Sequence, residues 1–312
     1  MTGHPAVRTE GLHKRYGART AVAGLDLTVP AGALFGFLGP NGAGKTTTVG
    51  LLSTLLKPTS GYAEVAGCDV RRRPAEVRQR IGLVFQEATL DMDLTAAQNL
   101  QLYGDLFGLP RAETRRRAGD LLELMGLSER TGEPVAGFSA GMRRRLEIAR
   151  GLLHTPSVLF LDEPTAGLDP QTRAAVWQRL AELRAERDIT VFLTTHYLEE
   201  AENCDQVVIM NDGTLVAEGT PARLKAVVGD DLVRLRTGDD AAAARTIQQV
   251  FGHRTQPERD GLRLRVRHGA AFTPRLCAAL TVPVHSITVT PPTLDDVFLH
   301  YTGHTIRTEG AS

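Results

Sequence analysis

Cysteine is scarce: Cys68, Cys204 and Cys277 are odd in number, far apart and in no C-x-x-C pattern. Neither a disulfide framework nor a zinc site is indicated, and a reduced compartment is expected. Lysine is scarce too, limited to Lys14, Lys45, Lys57 and Lys225, so the positive charge is nearly all arginine; this reads as coding bias. Net charge is missing, with 36 basic side chains against 36 acidic ones, so no global field draws the chain to nucleic acid or an anionic membrane. No apolar run reaches the roughly 18 residues that a membrane-crossing helix needs. The start, Met1-Thr2-Gly3-His4-Pro5, lacks the apolar stretch of a secretory signal. Internal repeats and low-complexity linkers are also lacking. What is present is a chain of 312 residues with 42% hydrophobic content, long enough for two domains and rich enough for a sizeable core.

The strongest positive signal is Gly39-Pro40-Asn41-Gly42-Ala43-Gly44-Lys45-Thr46, which fits G-x-x-x-x-G-K-[ST]. The apolar run Leu34–Leu38 before it predicts a strand, and Thr46–Leu52 after it predicts a helix. That context makes the motif a phosphate-binding loop. Glycines let backbone N–H groups curl around a phosphate, and the helix start adds its positive dipole end. Gly39, Asn41, Gly42, Gly44, Lys45, Thr46 and Thr47 are the candidate phosphate-binding set. Lys45 supplies a mobile charge for the β- and γ-phosphates, and Thr46 offers a hydroxyl to Mg²⁺.

Short strands with a hairpin are expected over Val7–Glu10 and Ala21–Val29, and a buried strand at Ile81–Phe85. Thr95-Ala96-Ala97-Gln98 is a capping box, and Leu100, Tyr103 and Phe107 recur at helical spacing. A second helix is expected near Arg111–Met125, stopped by Gly126, so residues 87–138 read as a helical insertion. Ser157–Leu161 and Ile189–Leu193 are nearly continuous apolar runs that suit central parallel strands. Residues 207–217 read as a closing hairpin across Asn211-Asp212-Gly213. Strands alternating with helices imply an α/β fold with a mainly parallel sheet. After about residue 228 the pattern changes. Strands at Leu232–Arg236, Gly261–Val266 and Val284–Val289, and helices at Ala241–Phe251, Thr273–Leu280 and around Leu294–Tyr301, predict a small α+β domain over 229–312.

Leu159-Phe160-Leu161-Asp162-Glu163 delivers two carboxylates to a strand end, where ligands bind in α/β sheets. Asp162 is a candidate Mg²⁺ ligand and Glu163 the candidate to polarise an attacking water. Gln86 ends a strand and is a candidate for Mg²⁺ or water; His196 follows Phe192-Leu193-Thr194-Thr195. Phe138-Ser139-Ala140-Gly141-Met142 opens a helix with Ser139 as its N-cap, either as an ordinary capped helix or as an anion site aimed at another subunit's γ-phosphate. The arginine triplets at 71–73, 115–117 and 143–145 read as solvated faces.

Taken together, this order of motifs resembles that of ABC ATPases: phosphate loop, Gln86, a signature usually written Leu-Ser-Gly-Gly-Gln, Asp162-Glu163, Gly167-Leu168-Asp169 and His196. The resemblance covers residues 7–220. It implies a P-loop NTPase core with a helical insertion, binding ATP and Mg²⁺ in a head-to-tail homodimer. It implies further that Tyr16 stacks on adenine and Gln86 senses the γ-phosphate. Glu163 acts on water, His196 contacts the γ-phosphate, Ser139 and Gly141 complete the site across the dimer, and Asp169 links the two sites. Phe138, Ala140 and Met142 depart from the usual signature; loss of a glutamine amide at Met142 predicts weaker or slower closure. The stretch from Pro291 to His304 resembles the tail of daunorubicin-resistance-type export ATPases, which implies that the last domain pairs subunits or steadies a permease. The expected function is therefore an exporter ATPase on the cytoplasmic face of the cell membrane, driving a separate membrane-spanning permease. The insertion carrying Arg115–Arg117 would face that permease. Cargo is open among drug, lipid, glycolipid and peptide. An import ATPase with a regulatory tail and a soluble ABC ATPase acting on nucleic acid are the rival readings. The second fits less well, because one nucleotide half and no heptad run are present; no nucleic-acid partner is expected.

Overall fold

A computed structural model describes residues 4–87 and 89–303. Residues 1–3 at the expected start and 304–312 of the expected last domain lie outside this range.

In chain order the first unit begins with β1 (Val7–Tyr16), β2 (Arg19–Val29), β3 (Leu34–Leu38), α1 (Lys45–Leu52), β4 (Ser60–Val65), β5 (Cys68–Asp69), α2 (Pro74–Arg80) and β6 (Ile81–Val84). The insertion comes next as α3 (Ala96–Leu106) and α4 (Arg111–Leu124), and α5 (Ala140–Leu152) follows it. Then come β7 (Val158–Asp162), α6 (Pro170–Glu186), β8 (Thr190–Thr195), α7 (Leu198–Ala201), β9 (Gln206–Asn211) and β10 (Thr214–Gly219). The main sheet has the order β10-β9-β3-β8-β7-β6, parallel except for the edge strand β10. Every residue of β3, β7 and β8 is buried, as parallel strands covered on both faces must be. Phe192 sits among Phe35, Phe37 and Phe160 with ring centroids 5.3, 5.5 and 5.3 Å away. The same core takes in Leu12, Val22 and Val65 from the second, antiparallel sheet, β2-β1-β4-β5.

The expected capping box opens α3: Thr95 N–H donates to Gln98 and Gln98 N–H donates back to Thr95 Oγ1. Helix α4 stops one residue short of the expected Met125, with Gly126 in the left-handed region at φ 63°. Three central strands in the order β3-β8-β7 carry three site segments to one sheet edge: the phosphate loop after β3, Asp162 and Glu163 at the end of β7, and His196 after β8.

The chain divides into compact units between Gly219 and Thr220. The sequence placed that division at 228/229. Helix α8 (Pro221–Val228) accounts for the difference, because it packs on the last helix of the second unit. That unit continues with β11 (Asp231–Thr237), α9 (Asp240–Phe251), β12 (Gln256–Glu258), β13 (Gly261–Val266), α10 (Gly269–Ala279), β14 (Val284–Thr290) and α11 (Leu294–Thr302). Its antiparallel sheet, β12-β13-β11-β14, is the split βαβ arrangement. Val233, Leu235, Leu262 and Leu264 pack with Ile247 of α9 and Leu276 of α10. Helix α10 starts four residues before the expected Thr273 and holds Pro274 inside it, because burial of Phe272 beside Leu276 selects the longer helix.

Candidate active site

The phosphate loop needs its glycines for stated reasons. Gly42 and Gly44 adopt φ 81° and 110°, which a side chain tolerates poorly. A Cβ on Gly44 would lie 2.4 Å from Ala21 O, and one on Gly39 would lie 2.4 Å from Met210 O. Gly44 caps α1 with no side-chain bond, so the first N–H groups of that helix are left for an anion. Lys45 is buried; its Nζ donates to Gly39 O at 2.8 Å and Pro40 O at 3.2 Å and pairs with Glu163 Oε1 at 3.1 Å. Tyr16 stands at the end of β1, 47% exposed, with Lys14 Nζ 5.0 Å from its ring centroid. These groups border a cavity of about 650 Å³ lined by Tyr16, Arg19, Asn41, Gly42, Gly44, Lys45, Thr46, Thr47, Gln86 and Glu163.

Asp162 is buried and accepts the Thr194 hydroxyl at 2.5 Å. Glu163 takes a left-handed backbone at φ 47°, a strained choice for a residue with a Cβ. Its N–H donates to Thr194 O at 3.2 Å and Oγ1 at 3.0 Å, which holds the turn in place. The carboxylate is gripped from both sides, Oε1 by Lys45 and Oε2 by His196 Nδ1 at 3.1 Å. Burial pushes the Glu163 carboxyl up, but the His196 hydrogen bond and the Lys45 charge outweigh it and hold it below its ordinary value. At neutral pH it is an anion able to accept a proton.

Ser139, Gly141 and Asp169 lie outside the cavity lining, as do Gly39, Asp162 and His196. Ser139 is exposed and caps α5, accepting Met142 N–H at 3.2 Å, while Phe138 before it is buried. Asp169 caps α6, accepting Thr172 N–H at 3.0 Å, and its bonds to Thr172 hold the carboxyl below its ordinary value. Gly141 has a packing reason of its own: a Cβ there would sit 2.2 Å from Thr172 Cγ2 but 3.5 Å from Thr172 Cβ. Gly141→Ala is therefore expected to destabilise the chain by about 1–3 kcal/mol through overpacking. Thr172→Ser removes that methyl, so the double variant should regain most of the loss in thermal unfolding. A double variant no more stable than Gly141→Ala would sink this account.

The sequence reading took 143–145 as a solvated face, and the structure corrects it. Arg144 is 6% exposed, beside the equally buried Glu147. Its guanidinium donates to Pro164 O at 2.6 Å, Asp162 O at 3.0 Å, Glu163 O at 3.1 Å, Glu147 Oε2 at 3.1 Å and Phe85 O. Arg145 donates to Met125 O at 2.7 Å and Arg117 to Leu153 O at 3.1 Å. These arginines satisfy carbonyls at or just past the ends of helices and strands, partners no local pattern reveals. Arg19 in the cavity wall was also missed; its one signal was its place directly opposite Tyr16 in the β1–β2 hairpin.

An anion cradle, a buried lysine and paired carboxylates at one sheet edge make this a P-loop nucleotide hydrolase. The helical insertion ahead of Ser139 narrows the class, and comparison with known proteins agrees. Residues 22–166 match the ABC transporter family, and residues 219–302 match the C-terminal domain of the ATP-binding protein DrrA1-3-like family. The chain is 44% identical to the daunorubicin resistance ATP-binding protein DrrA2 of Streptomyces coeruleorubidus, over 99% of this chain and 98% of that one. It is 40% identical to the Nod factor export ATP-binding protein I of Ralstonia nicotianae, over 97% and 95%. Among solved structures, cbiO1 of Clostridium perfringens, part of the ABC transporter complex cbiONQ, superposes with a TM-score of 0.67 at 27% identity, over 80% of this chain and 97% of that one. The chain belongs to the ATP-binding subunits of ABC transporters, in the branch that carries a DrrA-type C-terminal domain. It is an ATPase of the exporter kind.

Proposed function

We propose that this ATPase drives export of an amphipathic, drug-like molecule through a separate membrane-spanning permease, with ATP held between two head-to-tail copies. The observation that carries the nucleotide part is the convergence of Tyr16, the phosphate loop, Lys45, Gln86 and Glu163 on one cavity. Tyr16 stacks on adenine. Asn41, the loop N–H groups, Lys45 and Thr47 hold the phosphates. Glu163 accepts the proton of the attacking water, and His196 faces the γ-phosphate and orients Glu163. Ser139 and Gly141 of a second copy close the site, and Asp169 joins the two sites. A hydroxyl at Thr46, an amide at Gln86 and a carboxylate at Asp162 are hard oxygen donors that suit Mg²⁺. Bound there, Mg²⁺ neutralises charge on the phosphate oxygens.

Among the described residues no helix is long and apolar enough to cross a membrane, so the transport path is assigned to another chain. The permease dock is assigned to the groove between the insertion and the core. A cavity of about 420 Å³ there is lined by Leu55, Leu83, Phe85, Leu102 and Leu106, with Arg78 and Arg150 among its polar residues. Leu106 is 74% exposed and Leu55 56%, apolar area that a partner helix would cover. Daunorubicin resistance and Nod factor export in the names of relatives support an amphipathic cargo.

Inside-out vesicles containing the chain and the membrane permease that co-purifies with it should accumulate a fluorescent anthracycline only with hydrolysable ATP. Leu106→Glu should cut that uptake and permease retention at least tenfold while ATP binding by the free chain stays within twofold. Uptake that ignores Leu106→Glu removes the groove as the dock. Hydrolysis without uptake removes the cargo class.

A further inference from the structure

Tyr197 follows His196 and is held on two sides. The Arg173 guanidinium carbon lies 3.9 Å from the Tyr197 ring centroid. The His196 imidazole lies 4.1 Å from the same ring, tilted by 38°. Arg173 belongs to the first turn of α6, and its N–H donates to Asp169 O at 2.9 Å, within the helix start that the Asp169 side chain caps. At the other end, His196 Nδ1 meets Glu163 Oε2 at 3.1 Å. One unbroken line of contacts therefore runs from the Asp169 cap through Arg173, Tyr197 and His196 to Glu163.

The geometry argues that this is more than filler. Arg173 Nε is buried with no hydrogen-bond partner among the described residues, and the guanidinium lies against the Tyr197 ring, a contact that favours its charge. The backbone around His196 is fixed separately: Tyr197 N–H donates to Thr195 Oγ1 at 2.9 Å, and the Thr195 hydroxyl donates to the buried Glu200 at 2.6 Å. With the backbone tied, the remaining freedom at His196 is the rotation of its side chain. The Tyr197 ring limits that rotation, and Arg173 limits the Tyr197 ring.

We propose that Arg173 and Tyr197 are positioning residues for ATP hydrolysis, a cation–ring clamp that sets the His196 imidazole against Glu163 and ties its orientation to the start of α6. The proposal rests on the reading that His196 and Glu163 serve hydrolysis. A contact of this kind biases a side-chain equilibrium by roughly 2- to 30-fold, so the rate should fall by about tenfold rather than vanish.

The test measures kcat, KM and nucleotide affinity on the purified full chain. Arg173→Met keeps the aliphatic bulk without the charge, and Tyr197→Ala removes the ring. Each should lower kcat about tenfold while KM and the Kd for ATP stay within twofold. Tyr197→Phe keeps the ring and should retain most of kcat. Arg173→Met combined with Tyr197→Ala should be no slower than the slower single variant, because both break one line. If Tyr197→Ala does not fold, Arg173→Met alone and Tyr197→Phe decide the matter by the same split. His196→Ala is the reference for the underlying reading. If it is inactive while Arg173→Met and Tyr197→Ala turn over at the parent rate, the clamp is wrong and the site reading stands. If His196→Ala turns over at the parent rate, the site reading itself fails. Additive losses in the double variant, or a fall in ATP affinity matching the fall in kcat, mark a general structural role and overturn the proposal.

Discussion

Glu163→Gln is expected to lower steady-state ATP hydrolysis by roughly 10²- to 10⁴-fold, the range for loss of a positioned general base. The amide keeps the shape of the side chain but cannot take a proton from water. Nucleotide binding should survive. Tyr16 and the glycine cradle are untouched, and Lys45 keeps Gly39 O and Pro40 O as acceptors after its ion pair with Glu163 is gone. ATP that binds and is not cleaved should then hold two copies together, so the variant should elute as a dimer with ATP and as a monomer with ADP. There is also a pH signature. The folded Glu163 carboxyl ionises below its ordinary value, so it contributes stability that is present above the ordinary carboxylate pKa and lost as pH falls through the lowered one. The variant should lack that part of the acid dependence. Phosphate release at the parent rate would refute Glu163 as the base. A monomer under ATP, with cleavage blocked, would refute the paired-copy reading.

Much of this site was legible because its signals are local. The loop glycines, the capping box at Thr95 and the apolar runs of β3, β7 and β8 each declare themselves within a few residues; β3 has the expected bounds, and β7 and β8 lie within two residues of theirs. The cap at Ser139 is local too. What escaped depends on distant partners. The sequence reads Gly141 only as completing the site across the dimer, yet its missing Cβ also faces Thr172, 31 positions along the chain. Helix α8 reads equally well as the end of one unit or the start of the next, and only its packing on α11 decides. Strands β5 and β12, of two and three residues, are too short to show a period of two. Arg144 is the sharpest case. Three consecutive arginines look solvated, and nothing nearby names the carbonyls that wait for the middle one.

Those carbonyls make the second large prediction. Arginine has five N–H donors in a planar fork, and Arg144 places them on Pro164 O, Asp162 O, Glu163 O, Phe85 O and Glu147 Oε2. Burial pulls its guanidinium below its ordinary pKa against the Glu147 charge. Glu147 also accepts Thr89 N–H at 2.8 Å. The fork thus ties α5 to the turn that carries both carboxylates and to Phe85, the residue before Gln86. Arg144→Met leaves the buried Glu147 carboxylate without its charge partner and takes a donor from four carbonyls, and it is expected to destabilise the chain by about 3–5 kcal/mol. For a domain of this size that is a fall of roughly 6–20 °C in Tm. Arg144→Lys should do little better, since three donors on a point charge cannot span five acceptors in a plane. Removing the stranded charge as well should help, so Arg144→Met with Glu147→Gln should unfold at a higher temperature than Arg144→Met alone. Turnover should fall further than stability alone explains, because the Glu163 turn loses three carbonyl anchors, at Asp162, Glu163 and Pro164. A Tm for Arg144→Met within about 2 °C of the parent, under 1 kcal/mol by the same conversion, would show that the fork does not hold these segments together.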